Sequence, residues 1–357
     1  MHQHSRQNRH VHRWRLPALL VAMGSFALMG LGDAATAAGG GGITVRGNQL
    51  LKDGQFWVPK GFTIVSFVAP EAVLNPSYKE ARNSYGDSIL DQARSLGADL
   101  LRFQVSQAGL DPQSSIHDPK YLGQVTEAVH RAREKGFSVI VSMQWEPPSG
   151  LKGQPMMPSD ITRRAWSKIA GSFGNDGYIM LELFNEPGMW ESNAGAWSQW
   201  KSGMQSLIDL VRGAGAQNTL LLDGLRGAHY LTGAPAVSDP LHKIAYAVHP
   251  YIDDKDHGPS DWTRDFGNFA KDHPVLVSEW NATSTLQCRP DVPQASREFI
   301  EYIKERRMGL VLWALDLHGT LFDASNKPIG FKDFECGKWG TGAANIAIEY
   351  FHSDAKP

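Results

Sequence analysis

Eight short apolar runs, each followed by a helix-like stretch, recur over roughly the last 300 residues of this 357-residue chain. That alternation is the pattern of parallel strands joined by crossover helices. Eight such units match a single (β/α)8 barrel better than an open doubly wound sheet. No Gly-x-Gly-x-x-Gly follows the first run, which argues against a dinucleotide fold. With 20% charged and 42% hydrophobic residues and a formal net charge of −2, the composition is that of a globular domain. Nearly balanced charge, with no basic run beyond the N-terminus, offers no footing for nucleic acid or a membrane surface.

The chain opens on a segment that reads as a removable leader. Arg6, Arg9, Arg13 and Arg15 form a positive region, Leu16 to Leu31 is apolar and uncharged, and Ala35-Thr36-Ala37 supplies small residues for cleavage. The apolar stretch is shorter than the ~20 residues of a span and carries Gly24, Gly30 and Gly32. We therefore expect residues 1–37 to be a signal peptide and 38–42 a glycine-rich joint. Residues 43–357 are then one domain, secreted or periplasmic, monomeric, and off the membrane once the leader is gone. His2, His4, His10 and His12 fall inside the leader and receive no function.

Taken in order, Ile43 to Val58 reads as a small hairpin, with Arg46-Gly47-Asn48 and Lys52-Asp53-Gly54 as turn signals. Strands are expected at Gly61–Phe67, Asp99–Gln104, Phe137–Met143, Tyr178–Phe184, Thr219–Asp223, Ile244–Val248, Val275–Ser278 and Leu310–Ala314. The clearest helices are Ser88–Ser95, Leu122–Glu134, Ile161–Ser172, Trp197–Arg212 and Pro293–Arg306. Trp197 and Trp200, three apart on one helix, read as packing against the barrel. Cys288 and Cys336 are the only cysteines. In an exported protein they permit one disulfide at the rim, worth about 4 kcal/mol in the chain-entropy model; the alternative is two buried thiols. Two cysteines are too few for structural zinc, and no H-E-x-x-H or C-x-x-C appears, so no metal or other cofactor is expected.

The chemistry sits at the carboxyl ends of the strands, which converge on one mouth in this fold. Strand two ends Arg102-Phe103-Gln104, strand three Gln144-Trp145-Glu146 and strand four Asn185-Glu186-Pro187-Gly188. Strand six gives His249-Pro250-Tyr251, strand seven Ser278-Glu279-Trp280-Asn281 and strand eight Trp313. Glu186 and Glu279 stand three βα units apart, facing each other across the mouth with aromatics around them. Cleavage of an acetal needs a proton for the departing oxygen and an anion opposite it. One carboxyl must stay protonated while its partner stays ionised, and Arg102 beside Glu279 would keep that one charged. The residues alone do not say which glutamate is which. Glu182 shares strand parity with Glu186 and should point inward beneath it; it is also the nearest structural partner for Arg102. Trp145, Trp190 and Trp280 follow strand ends, where their faces could stack on pyranose rings. Asn281-Ala282-Thr283 matches a glycosylation acceptor, but it lies beside Glu279 and is read as coincidence.

These residues in this order resemble glycoside hydrolase family 5, the cellulase family, over nearly the whole chain after the leader. The most specific parts are Leu183-Phe184-Asn185-Glu186-Pro187 and Val277-Ser278-Glu279-Trp280. The resemblance implies Glu186 as general acid/base and Glu279 as nucleophile, with Arg102 and Tyr251 bonded around the nucleophile. It further implies Asn185 on the sugar 2-hydroxyl, His249 near the acid/base, and Trp313 as sugar platform. The family usually carries histidine where this chain has Gln144. That departure affects substrate identity more than mechanism, and Gln144 remains a candidate sugar contact alongside Trp280. The expected activity is retaining hydrolysis of a β-1,4-linked polysaccharide or oligosaccharide, first among them cellulose cut internally. Mannanase, xyloglucanase and exo-β-glucosidase activity are alternatives, as is a binding barrel without catalysis. An esterase is disfavoured because no Gly-x-Ser-x-Gly elbow is present.

Overall fold

The computed structural model describes residues 41–188, 192–252, 258–282, 292–330 and 343–353. The leader, Trp190, Thr283, Cys288 and Cys336 lie outside the described residues, and with them the disulfide expectation. The folded unit runs Gly40–Pro357.

Three short strands open it: β1 (Ile43–Arg46), β2 (Gln49–Lys52) and β3 (Gln55–Phe56), paired antiparallel in that order. Eight more follow: β4 (Lys60–Ile64), β5 (Leu100–Ser106), β6 (Ser138–Gln144), β7 (Ile179–Glu182), β8 (Leu220–Asp223), β9 (Ile244–Val248), β10 (Val275–Trp280) and β11 (Gly309–Leu312). Each of the eight is parallel to its neighbours in chain order, and β11 pairs with β4 to close the barrel. All eight expected strands are present with ends shifted by a few residues. All five expected helices are present too, at Asp87–Ser95, Tyr121–Glu134, Asp160–Phe173, Ala194–Gly213 and Val292–Glu305. Helices Pro76–Ser84 and Ala343–Ser353 are additional to that reading.

Helix starts follow local chemistry. Asn75 accepts from the Tyr78 amide at 3.1 Å ahead of Pro76, and Asn193 accepts from the Ala196 amide at 2.9 Å, each satisfying an otherwise unpaired N–H. The long helices bury Leu90, Val129, Trp166, Trp200, Met204 and Phe299 against outward strand residues such as Leu101, Val141, Leu181, Leu222 and Val277. Each such side chain contributes about 1.5–3 kcal/mol by leaving water.

The barrel interior is layered. Leu100, Ile140, Met180, Leu221, Ala245, Leu276 and Val311, from β5 to β11, form its apolar lower layer with Ile43 and Leu50 of the small sheet and Trp57 just after it. On β4 this level holds Gly61, where a Cβ would sit 2.4 Å from the Leu100 carbonyl oxygen. The small sheet therefore plugs the amino-terminal end. Ile43 N–H bonds the Gly177 carbonyl at 2.7 Å, Thr219 Oγ1 bonds the Ile43 carbonyl at 2.7 Å, and Trp57 Nε1 bonds Asp99 Oδ2 at 2.5 Å. Above the apolar layer the inward residues are polar, which places the chemistry at the opposite, carboxyl end. Trp57→Ala should lower stability by about 3 kcal/mol in denaturant titration while turnover per folded molecule stays within about twofold, because the plug lies below the chemistry.

Candidate active site

Strand parity raises a column of polar side chains above the apolar floor. On β5, Leu100 points inward, and so do Arg102 and Gln104. On β6, Ile140 is followed inward by Ser142 and Gln144; on β7 and β8, Met180 and Leu221 are followed by Glu182 and Asp223.

Arg102 is wholly buried and is the hub. Its Nε and Nη2 grip Glu182 at 2.7 Å each, and its Nη1 donates to Glu279 Oε2 at 2.5 Å. Nη2 also reaches Ser142 Oγ at 2.9 Å and the Asn185 side-chain oxygen. The two readings of Arg102, structural partner of Glu182 and partner of Glu279, are both realised. Burial alone would raise Glu182, but the charge and hydrogen bonds of Arg102 outweigh it and hold that carboxyl down to about 2.

Glu279 accepts from Gln104 Nε2 at 3.1 Å as well as Arg102, and its other oxygen accepts from Tyr251 Oη at 2.6 Å. Burial and then the Glu279 charge keep the Tyr251 phenol well above its ordinary value, so it stays a donor. Glu186 sits just past β7 with φ of +47°, in the left-handed region that a side chain rarely adopts. Its amide is held by Asp223 Oδ2 at 3.0 Å and its Oε1 by His249 Nδ1 at 3.0 Å. His249 Nε2 lies 2.9 Å from Ser278 Oγ. Burial by itself would lower His249, but Glu279, Glu182, Glu186 and Asp223 reverse this and hold it well above its usual value.

One carboxylate oxygen each of Glu186 and Glu279, and a nitrogen of His249, lie within 4.8 Å of one another. Glu182, Asp223 and His249 form a second such group. In both groups His249 already has a hydrogen-bond partner on each ring nitrogen, Glu186 on Nδ1 and Ser278 on Nε2.

The mouth thus brings together Arg102, Asn185, Glu186, His249, Tyr251 and Glu279. Trp313 follows β11 at the same end, half-buried; its carbonyl accepts from Asn281 Nδ2 at 3.0 Å and its following peptide bond is cis. Gln144 is buried and turned down, its Nε2 on Ser142 Oγ at 2.9 Å. Trp280 requires a correction. Expected to face sugar, it is fully buried outside the barrel, stacked on Phe299 with ring centroids 5.2 Å apart. The cause is a register shift between Val277 and Trp280 on β10. Strict alternation from Leu276 would turn Glu279 outward and Trp280 inward; the extra residue reverses both. Trp145 is likewise covered, lying flat against Phe184 with its indole N–H on the Asn185 carbonyl at 2.8 Å.

Four groups in the site carry no role in the sequence reading: Gln104, Asp223, Ser278 and Glu146. Parity with Arg102 and Leu221 marks the first two, whereas Glu146 lies beyond the strand, where periodicity is silent. Burial, then Glu186 and Glu279, push Glu146 up to about 8. Asp223 is driven well above its ordinary value by burial and the neighbouring Glu182 charge.

Two outcomes follow from these contacts. Arg102→Leu strands two buried carboxylates and should cost about 3–5 kcal/mol with loss of activity; adding Glu182→Leu should restore part of the stability, read by denaturant titration, but no activity. Glu146, raised from about 4.3 unfolded to about 8 folded, favours folding fully at low pH and loses that contribution as pH rises through the interval. The melting-temperature difference, Glu146→Gln minus wild type, should therefore climb between about pH 5 and 8 and then level off.

A family model, Cellulase (glycosyl hydrolase family 5), matches residues 71–319. Among curated relatives, a cellulase, CelDZ1, of a Thermoanaerobacterium species is 23% identical over 67% of this chain and 64% of its own. A manganese dependent endoglucanase, Eg5A, of Phanerodontia chrysosporium is 25% identical over 46% and 45%. The chain spans about half to two thirds of the length of the curated relatives it matches. Among solved structures, the β-glucanase SdGluc5_26A of Saccharophagus degradans in complex with cellotetraose superposes with a TM-score of 0.67 at 20% identity, covering 88% of this chain and 94% of that one. That likeness is one of fold. With the family model spanning most of the barrel, the chain belongs to glycosyl hydrolase family 5, the cellulase family.

Proposed function

We propose that this chain is a retaining endo-β-1,4-glucanase working by double displacement, with Glu279 as nucleophile and Glu186 as general acid/base. The observation that carries the reading is the approach of the two carboxylates, with oxygens within 4.8 Å. Retaining glycosidases hold these groups about 5–5.5 Å apart, whereas inverting ones leave about 6.5–9.5 Å for a water. The roles divide by environment. Glu279 is wrapped by Arg102, Gln104 and Tyr251, three donors that suit an anion. Glu186 is the more open of the two, its side chain 17% exposed against 8%, with one oxygen held by His249 and the other able to reach a leaving group.

In the first step Glu279 forms a bond to the anomeric carbon while Glu186 gives its proton to the departing glycosidic oxygen. In the second, Glu186 takes a proton from water, the water oxygen bonds the anomeric carbon, and Glu279 leaves as carboxylate. Asn185, pinned through its side-chain oxygen by Arg102, meets the 2-hydroxyl, and Trp313 lies under the ring. Gln144 contacts sugar only if its amide turns away from Ser142. The glucan and its internal cleavage are inferred from the relatives named as cellulases and endoglucanases, and export is inferred from the composition of the leader. His249, Arg102 and Tyr251 supply the positive and donor groups around the anomeric centre.

On carboxymethyl-cellulose, Glu279→Gln should lose at least about 10⁴-fold in reducing-sugar release. Glu186→Gln should lose about 10²–10⁴-fold on the polymer but recover much of it on aryl glycosides whose leaving group needs no proton. Proton NMR should find the β-anomer first; the α-anomer first, or full activity in Glu279→Gln, would contradict the assignment.

A further inference from the structure

We propose that Glu146, acting with Trp145, is a positioning residue of the cleavage site that orients the Asn185 amide toward the hydroxyl beside the anomeric carbon. This rests on the sugar-cleaving reading above. Asn185 has four polar groups, and the segment Met143–Glu146 holds three. Its N–H bonds the Met143 carbonyl at 2.9 Å, its carbonyl accepts from Trp145 Nε1 at 2.8 Å, and its Nδ2 donates to Glu146 Oε1. The fourth, Oδ1, belongs to Arg102. An amide nitrogen carries two hydrogens in one plane, so the one given to Glu146 fixes the direction of the other. That second hydrogen is the one a sugar hydroxyl can accept.

The holder is itself held. Ser149 N–H bonds the Glu146 carbonyl at 2.8 Å, and the Trp145 carbonyl accepts from Ser149 Oγ at 3.1 Å and from Gln154 Nε2 at 2.5 Å. Ser106 Oγ, at the end of β5, bonds the Ser149 carbonyl at 2.8 Å. Gln154 is tied through Gln107 to Thr162 on the helix Asp160–Phe173, each link 2.7 Å. Glu146 therefore transmits the position of two strands and a helix to one amide. Carboxyl is the fitting group because both its oxygens are engaged: Oε2 faces the Trp145 amide at 3.2 Å. Glutamine puts an NH2 group where one of these two oxygens faces an N–H. The carboxyl is pushed up by burial and then by the neighbouring charges of Glu186 and Glu279, so it stands next to the reacting groups.

The test measures kcat and KM at pH 6 for wild type, Glu146→Gln and Glu146→Ala on an aryl β-cellobioside and on its analogue lacking the 2-hydroxyl at the cleaved unit. Contacts to that hydroxyl strengthen in the transition state, so the loss should fall on kcat with KM nearly unchanged. Glu146→Ala should lose about 100-fold and Glu146→Gln about five- to tenfold on the full substrate. Both losses should shrink to within about twofold on the deoxy substrate. Equal losses on the two substrates, or a change confined to KM, would overturn the proposal. If Glu146→Ala does not fold, the Glu146→Gln comparison decides alone, since no loss or the same loss on both substrates contradicts the role. Glu279→Gln run in parallel separates the two levels: activity surviving there rejects the site reading, whereas activity lost there with substrate-independent Glu146 losses rejects only this inference.

Discussion

The buried guanidinium of Arg102 is the interaction the rest of the mouth is built around. It stands one layer above the apolar floor, out of reach of water, and is stable there only because Glu182 grips it with two oxygens. With that pair made, its third nitrogen is left to hold Glu279, and its Nη2 also reaches Asn185. Glu182 thus frees Glu279 from a structural duty: it supplies the counter-charge that keeps the arginine in place, so the second carboxylate can face the cleft. The remaining charge follows from proximity. His249, ringed by Glu186, Glu182, Asp223 and Glu279, is held well above its usual value despite burial, and Asp223 is driven up by burial and then by the Glu182 charge. A set of carboxyls this close is tolerable only if some are neutral and the others are matched by cations.

Much of this was legible in the sequence because a barrel converts order into place. Eight apolar runs give eight strands, strand ends give one mouth, and parity puts Arg102 and Glu182 inside. The family pattern around Asn185-Glu186 and Glu279 added candidate roles for the residues already placed at that mouth. What escaped lies where parity breaks. On β10 one extra residue turns Glu279 in and Trp280 out, and no periodicity reveals a bulge. After β7 both Leu183 and Phe184 pack outward, so the strand ends at Glu182, earlier than its hydrophobicity suggests. Glu146 sits in a turn after the strand, placed by hydrogen bonds that depend on Ser149, Gln154 and Gln107 together. Trp145 and Trp280, read as sugar platforms from their place after strand ends, are both spent on packing. An aromatic at a rim is as useful to the outer helix layer as to a substrate, and sequence position does not separate the two uses.

The site is also strained where it works. Glu186 occupies a left-handed backbone conformation, stabilised by its amide bond to Asp223. The loop after β8 shares that duty: Arg226, Gly227 and Ala228 all have positive φ, and the Arg226 and Gly227 amides bond the carbonyls of Gly188 and Pro187. The Ala228 carbonyl accepts the His249 amide, so the turn that carries the acid/base and the histidine that touches it are joined through one short segment. The small sheet closing the floor and the helices around the barrel provide the rigidity that holds this arrangement against its own strain.

The proposed chemistry turns on Glu279 bonding the sugar. The most direct measurement is to incubate the protein with an activated 2-deoxy-2-fluoro β-cellobioside, which forms a glycosyl-enzyme faster than it hydrolyses, and to map the labelled peptide by mass spectrometry. One cellobiosyl adduct is expected, on the peptide carrying Glu279, and none in Glu279→Gln. An adduct on Glu186 or Glu146, or turnover with no adduct and inverted product, would contradict it.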